Sequence, residues 1–167
     1  WPRLVQLGWL LTDDKGVVLA EGNRIVRPDG FEIPKEASAV HGITTERALQ
    51  EGEDLLDVIY AFGADLNQSQ LVVGHNLDYD LHILGAEYVR LGYDSRIMFA
   101  RPTLCTMLAT IDFCQIPGAY GYKWPKLMEL YTKLFGQEFD GAHDAMADIR
   151  ATKDCFFELL KRGIVRL

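Results

Sequence analysis

The sequence predicts an α/β protein with a mixed sheet flanked by helices. The expected order of elements is two strands, several helices, a strand, a helix, another strand and a final run of helices, which is typical of this class. The chain has 167 residues, of which 49% are hydrophobic and 25% charged, enough for a sizeable core. We therefore expect residues 1–167 to form a single domain.

The first half of the chain begins with a predicted β-hairpin. Residues 3–12 and 17–27 have the composition of strands, and the turn residues Asp13 to Gly16 separate them. A short helix then opens at Pro34 and ends at Gly42. A second begins at Thr44 or Thr45, and an amphipathic helix covers residues 54–66.

The second half alternates strands and helices. Residues 71–74 are wholly apolar, which predicts a strand buried on both faces, and a helix follows over residues 77–91. Residues 101–110 are ambiguous by composition and are compatible with a short strand that runs into a helix. The remaining expectations are a loop over residues 116–122, a helix over residues 124–135 with Pro125 in its first turn, and a last helix over residues 144–162 that Gly163 ends.

Composition excludes several classes of protein. No run of about 18 apolar residues occurs, so no membrane helix is expected. The three cysteines, Cys105, Cys114 and Cys155, have no C-x-x-C spacing and indicate reduced thiols in a cytoplasmic protein. The net charge of −7 argues against a broad basic face for nucleic acid, although it permits contact with phosphates through bound cations.

Three stretches place polar side chains where strands end or helices begin. The stretch Val72 to Asp80 delivers His75, Asn76, Asp78 and Asp80 at the carboxyl end of a strand, the usual position of sites in α/β sheets. In residues 141–160, Asp148 flanks the apolar stripe of the last helix and His143 falls just before that helix. The third stretch is residues 39–44. A carboxylate beside a buried stripe costs free energy unless a cation compensates it.

Each residue alone has a simpler interpretation. Asp78 or Asp80 would complement the dipole of its helix, and Asp144 would cap the last one. His143 would be an exposed or capping residue, and His41 carries almost no information by itself.

Together the stretches resemble the DEDDh family of 3′–5′ exonucleases, which includes the proofreading subunits of bacterial replicative polymerases. The family's second motif stands here as His75, Asn76, Leu77, Asp78, Tyr79 and Asp80, which makes Asp80 the metal-binding carboxylate. Its third motif spans His143 to Asp148, and its Val-His-Gly-Ile segment spans Val40 to Ile43.

The resemblance implies an RNase H-like fold and a two-metal 3′–5′ exonuclease that acts on single-stranded DNA or RNA 3′ ends and releases nucleoside monophosphates. Asp80 and Asp148 would bind two Mg²⁺ or Mn²⁺ ions, and His143 would take a proton from the attacking water. Four residues match family positions that contact the 3′-terminal nucleotide: Val40, His41, His75 and Tyr79. A DNA polymerase subunit is a further implied partner.

The sequence departs from the family in its first motif, because it contains no Asp-x-Glu pair. Asp13 and Asp14 are not a substitute, since they lie in the predicted hairpin turn. In this family the motif lies on the central strand of the sheet, which we expect upstream of Trp1. The 167 residues alone would then be inactive.

Two other functions are consistent with the sequence. One is a domain of the same fold that has lost catalysis and binds nucleic acid or a polymerase, and the other is an acidic interaction module. The presence of Asp80, His143 and Asp148 together favours the enzyme.

Overall fold

The computed structural model describes residues 1–96, 100–142 and 144–167. The chain forms two compact units. The first contains Pro2–Ser69 together with residues 144–146, and the second contains Trp1, Gln70–Ala142 and Ala147–Leu167. Each unit is described by itself.

The first unit begins with the predicted β-hairpin. Strands β1 (Gln6–Thr12) and β2 (Val18–Ile25) are antiparallel, with Trp9 opposite Gly22. In the turn, the carboxylate of Asp13 accepts hydrogen bonds from the backbone N–H groups of Lys15 and Val17, at 2.9 and 2.8 Å. The aspartates of the turn are therefore structural, as the sequence indicated.

The hairpin leaves one edge of β1 facing away from β2. The backbone N–H of Val26 donates to the carbonyl of Val5, so the residues that bond to β2 alternate from Val5 onward. The intervening residues Gln6, Gly8 and Leu10 direct their backbone groups to the opposite edge.

Trp9 packs tightly across the hairpin. A Cβ atom on Gly22 would lie 2.2 Å from Cζ2 of the indole, so only glycine fits opposite the ring. The indole Nε1–H donates to the carboxylate of Asp65 at 2.7 Å, which satisfies the polar atom of a ring that is almost fully buried.

Three helices follow as predicted: α1 (Lys35–His41), α2 (Thr45–Glu51) and α3 (Leu55–Leu66). Helix α1 begins after Pro34 and ends at Gly42, which has φ 73°. Thr44 caps α2 by accepting a hydrogen bond from the N–H of Arg47 at 3.1 Å. Buried Ile33, Ile43 and Ala48 form a core under these helices.

The second unit contains a short parallel pair of strands, β3 (Val72–Gly74) and β4 (Thr103–Cys105). Strand β3 leads to α4 (Leu77–Arg90), and β4 leads to α5 (Thr106–Ala109) and α6 (Ile111–Cys114). The strand-to-helix interpretation of residues 101–110 is confirmed. The expectation that β3 is buried on both faces is wrong, because its residues are only partly buried. Within the described residues, β3 has a strand partner on one side only.

The rest of this unit differs from prediction at two places. The expected loop contains a small hairpin, β5 (Pro117–Gly118) and β6 (Gly121–Tyr122), and α7 spans Leu127–Phe135. Pro125 is not in the first turn of α7. The helix starts later because the carboxylate of Glu129 accepts a hydrogen bond from the N–H of Lys126 at 2.7 Å and caps it there.

Helix α8 (Ala145–Lys161) closes the chain, and Gly163 follows it with φ 68°. The core of the second unit joins α6, α7 and α8 through the buried side chains Cys114, Leu130, Leu134, Cys155, Leu159 and Val165. All three cysteines are free thiols, which confirms the reading of their spacing. No helix among the described residues is long and apolar enough to cross a membrane.

Candidate active site

His75 directly follows β3, at the strand end that was predicted to carry the site, and both nitrogens of its ring contact other segments of the chain. The ring atom Nε2 lies 2.9 Å from the carbonyl oxygen of Pro125, and Nδ1 lies 3.0 Å from the hydroxyl of Thr106. Thr106 is fully buried, and its hydroxyl also lies 3.2 Å from the carbonyl of Gly74. The end of β3 is thereby tied both to the start of α5 and to the segment before α7.

These contacts define the state of the imidazole. A carbonyl only accepts, so Nε2 carries the proton. Nδ1 of the neutral ring and the carbonyl of Gly74, at 3.0 and 3.2 Å, are then alternative acceptors for the single hydroxyl proton of Thr106. Burial lowers the pKa of His75, and the hydrogen bond to Pro125 opposes that shift. His75 is therefore neutral near pH 7.

A sharp change of direction separates His75 from helix α4. Asn76 has φ 66° and ψ 38°, the left-handed conformation, and α4 begins at the next residue. Few residue types other than glycine adopt this conformation, and asparagine is one of them. The turn brings three site candidates, Asp78, Tyr79 and Asp80, into the first turns of the helix directly after the strand.

Asp78 and Asp80 have different environments. Asp78 is largely exposed, and its carboxylate lies 3.4 Å from Nδ1 of His82. Asp80 is exposed as well, yet the protein around its carboxyl displaces enough solvent to raise the pKa of that group to about 6. A neighbouring cation would relieve this cost, which fits the assignment of Asp80 rather than Asp78 as the metal ligand.

Tyr79 is 46% exposed, and the aromatic ring of Trp1 packs against it. The indole of Trp1 meets it edge to face at 5.8 Å between centroids, and the same indole stacks on His82 at 4.7 Å. One face of Tyr79 thus belongs to an aromatic cluster, while nearly half of the residue meets solvent.

The second candidate carboxylate, Asp148, lies in the first turn of α8 and is partly buried. Asp80 and Asp148 belong to the same compact unit. Asp144 accepts a hydrogen bond from the N–H of Met146 at 3.1 Å, which confirms its capping role. His143, the candidate proton acceptor, lies outside the described residues.

Val40 and His41 lie at the end of α1, in the other unit. Val40 is 63% exposed and so presents an apolar surface to solvent. Nδ1 of His41 accepts a hydrogen bond from the N–H of Ile43 at 3.2 Å, and burial lowers the pKa of the ring. His41 is therefore a neutral imidazole whose proton is on Nε2.

The candidate site has ligands of the type that divalent cations prefer, but too few of them among the described residues. Hard cations prefer carboxylate oxygens, and Asp80 and Asp148 provide them. Within residues 1–96, 100–142 and 144–167, however, no three His, Cys, Asp or Glu side chains are grouped closely enough to hold a metal ion. A complete metal site needs ligands beyond those described.

Two contacts of the site were not anticipated from the sequence. Thr106 and Pro125 hold His75, although neither stood out as a functional residue. The signal for Thr106 was a hydroxyl in an otherwise apolar run directly after a strand. Nothing in the sequence marks the carbonyl of Pro125 as the partner of a histidine 50 residues away.

The fold matches solved structures of exonuclease I from E. coli. Against its complex with a dA16 oligonucleotide the TM-score is 0.76 at 21% identity, over 95% of this chain and 37% of that one. Against its complex with a dT13 oligonucleotide the TM-score is 0.78 at 22% identity, over 96% and 38%. This likeness confirms the predicted RNase H-like α/β fold.

Sequence comparison then gives the family. Residues 2–156 match the family model RNase_T, described as Exonuclease, and the chain belongs to that exonuclease family. It is 31% identical over 158 residues to the "Uncharacterized exonuclease CP81" of Escherichia phage 186, covering 92% of this chain and 78% of the relative. It is 26% identical over 147 residues to DNA polymerase III subunit epsilon of Aquifex aeolicus, covering 87% and 66%. The predicted family is thus confirmed, and the chain spans only 66% of the epsilon subunit and 37% of the first exonuclease I structure.

Proposed function

We propose that the protein containing these residues is a two-metal 3′–5′ exonuclease that releases nucleoside monophosphates from single-stranded 3′ ends. The observation that carries the proposal is the pair of carboxylates Asp80 and Asp148, each in the first turn of a helix of the same compact unit, in a chain of the exonuclease family. Similarity to a polymerase III epsilon subunit and to an exonuclease I with bound single strands supports the choice of substrate.

The carboxylates have the first role in the proposed mechanism. Asp80 and Asp148 would hold Mg²⁺ or Mn²⁺, which supplies charge neutralisation at the scissile phosphate when bound. Both carboxylates stand in the first turns of helices, so the helix backbone fixes their direction. In the absence of cations the raised pKa of Asp80 favours its protonated form as the solution becomes acidic.

His143 would accept the proton of the attacking water. Imidazole is the side chain whose ordinary pKa lies closest to neutrality, so it exchanges protons readily at working pH. The assignment rests on the family motif that spans His143 to Asp148.

The terminal nucleotide would contact apolar and aromatic side chains. Tyr79 and Val40 are each exposed enough to stack on or wedge against a base without reading its identity. His41 would donate from Nε2. Both ring nitrogens of His75 already have protein partners, so His75 would meet the nucleotide only through its carbon edge or ring face.

The proposal is tested with the full-length protein and a single-stranded oligonucleotide labelled at its 5′ end. Hydrolysis from the 3′ end gives a ladder of progressively shorter labelled products that depends on Mg²⁺ or Mn²⁺ and stops with EDTA. Immediate release of a labelled mononucleotide would reverse the proposed polarity. Unchanged activity in EDTA would contradict the metal requirement.

A binding domain without catalysis is the second candidate. The absence of Asp-x-Glu from the 167 residues, and of a described three-residue metal group, favours it. This candidate predicts that the full-length protein binds the oligonucleotide and leaves it intact in both metals.

We also propose that these residues form one domain with a strand that bears Asp-x-Glu. The outer edge of β1 supports this, because Gln6, Gly8 and Leu10 direct backbone groups away from β2. A paired strand there would satisfy those backbone groups.

A further inference from the structure

The small hairpin β5–β6 exposes an unusual set of aromatic rings. Tyr120 is fully exposed, and Tyr122 and Trp124 are 50% and 63% exposed. Residues Gly118 to Trp124 line an open depression of about 430 Å³ on the hairpin itself. Large aromatic rings left in water have a cost that burial would remove, which indicates a surface that is covered in use.

Backbone hydrogen bonds hold the two strands of this hairpin together. Its ladder continues past β6, where the N–H of Lys123 donates to the carbonyl of Ile116 at 2.9 Å. Gly121 has φ 121°, a conformation open to glycine, and a Cβ atom on Gly118 would lie 3.0 Å from the carbonyl oxygen of Gly121. Trp124 is followed by fully buried Pro125, which anchors the base of the hairpin.

The same anchor connects the hairpin to the candidate active site. The carbonyl of Pro125 accepts from His75, and His75 directly follows β3, which ends at Gly74, before the turn into α4. The aromatic rings therefore extend from the segment that fixes the strand end beside Asp80.

The chemistry of the hairpin fits a nucleic-acid strand. Gly118, Ala119 and Gly121 separate the rings with small side chains, so the faces of the rings are accessible to flat bases. Tyr122 and Trp124 are two residues apart, which in extended backbone places side chains on the same side about 6.6 Å apart.

The charges of residues 115–128 also favour a nucleic-acid strand as the partner of the hairpin. Between Gln115 and Met128 the only charged side chains are Lys123 and Lys126, although the whole chain has a net charge of −7. Lys123 pairs with Glu129 at 2.6 Å, and Lys126, two residues after Trp124, is exposed and also interacts electrostatically with Glu129. Lysine side chains can pair with the phosphates of a nucleic-acid strand while the aromatic rings stack on its bases. A purely apolar protein partner would use the rings and offer no partner to the lysine charges.

We propose that the β5–β6 hairpin is a stacking platform for single-stranded nucleic acid upstream of the 3′-terminal nucleotide. The inference rests on the proposed exonuclease function and extends it, because it assigns contacts to nucleotides that are not being cleaved. It predicts that the hairpin favours long strands over a dinucleotide.

The test compares substrates of two lengths with the full-length protein. The double variant Y120A/W124A is expected to lower the ratio of kcat/KM for a strand of about 12 nucleotides to that for a dinucleotide by about 10-fold, mainly through KM. The variant Y120F/W124F keeps the rings and should restore the ratio. Tyr60→Ala, at an exposed tyrosine of α3, is the matched control and should leave the ratio unchanged.

The outcomes separate this inference from the proposed function. Failure of the unmodified protein to shorten either substrate would overturn the exonuclease proposal. Hydrolysis of both substrates with the same ratio in Y120A/W124A would overturn the platform and would favour a protein partner for the hairpin. A measurement of oligonucleotide binding in Ca²⁺ should show the same order of variants, and a thermal melt checks that each variant is folded.

Discussion

The Nε2 atom of His75 lies 2.9 Å from the carbonyl oxygen of Pro125, and this contact joins the end of β3 to the segment that precedes α7. The ring is oriented from both sides, since Thr106 holds Nδ1 at 3.0 Å. A residue predicted to touch substrate is thus also a structural link. The tautomer of His75 is set by its contacts with Pro125 and Thr106, which exist without a bound ligand.

The tautomer of His75 is the first prediction. Long-range ¹H–¹⁵N spectra of the full-length protein should show neutral imidazole with the proton on Nε2 near pH 7. Because burial lowers its folded pKa below the unfolded value, stability from this group is present above about pH 6.5 and is lost as pH falls toward the folded pKa. A ring still cationic at neutral pH would contradict the hydrogen-bond assignment.

Asp80 and Asp78 should differ sharply in function. The isosteric change Asp80→Asn removes the negative charge proposed to bind cations and is expected to lower kcat/KM by about 100-fold or more. Asp78→Asn is the control in the same helical turn and should stay within about 3-fold, because Asp78 is exposed and lies beside His82. Exonuclease assays in Mg²⁺ give the comparison. Equal losses would refute the choice of Asp80.

Amide hydrogen exchange tests the proposed strand beside β1. If such a strand pairs with β1 in the full-length protein, the amides of Gln6, Gly8 and Leu10 should exchange slowly. Leu7, Trp9 and Leu11 bond to β2 and serve as internal controls that are protected in either case. Fast exchange at the first three amides, with protected controls, would show an open edge.

The contact between Trp9 and Gly22 predicts a matched pair of glycine variants. Gly22→Ala forces a methyl group against the buried indole and should lower the free energy of unfolding by about 1–3 kcal/mol. Gly63→Ala, inside α3 with no atom within 4 Å of the new methyl group, should raise it by about 0.5–1 kcal/mol. Urea denaturation measures both. Similar effects of the two changes would argue against the close packing at Gly22.

The buried thiols should be chemically inert in the folded protein. Burial raises the pKa of Cys155 to about 12 and raises that of Cys114, so neither forms the reactive thiolate to a useful extent at about pH 8. Cys105 is only partly buried and should react first with a disulfide reagent. The substitution Cys105→Ser should therefore remove the fast phase of the reaction between the folded protein and the disulfide reagent. Rapid labelling of Cys155 without denaturant would contradict its burial.

Local patterns predicted the elements of the fold well. Helix α1 between Pro34 and Gly42 and the cap at Thr44 follow from residues adjacent in sequence, and the structure has both. Strand β3 was harder, because a short apolar run does not reveal how many faces are covered. Its partial burial depends on which strands pair with it, and that is a tertiary property.

The site was predictable in its residues and less so in its connections. The spacing from His75 to Asp80 located the strand end and the carboxylate of α4. The start of α7 after Pro125 depends on the carboxylate of Glu129, and the exposed rings of the hairpin depend on a turn between two glycines. Such features arise from side chains that compete for backbone groups, and composition alone does not rank those competitors.

The left-handed turn at Asn76 restricts how this position changes over generations. Glycine, asparagine and aspartate adopt that backbone conformation at the least cost, so most other replacements would strain the junction between β3 and α4. Asparagine and aspartate codons differ by a single nucleotide, as do those of aspartate and glycine. We therefore expect few substitutions to be tolerated at residue 76 during evolution. Aspartate connects asparagine and glycine through single-nucleotide changes.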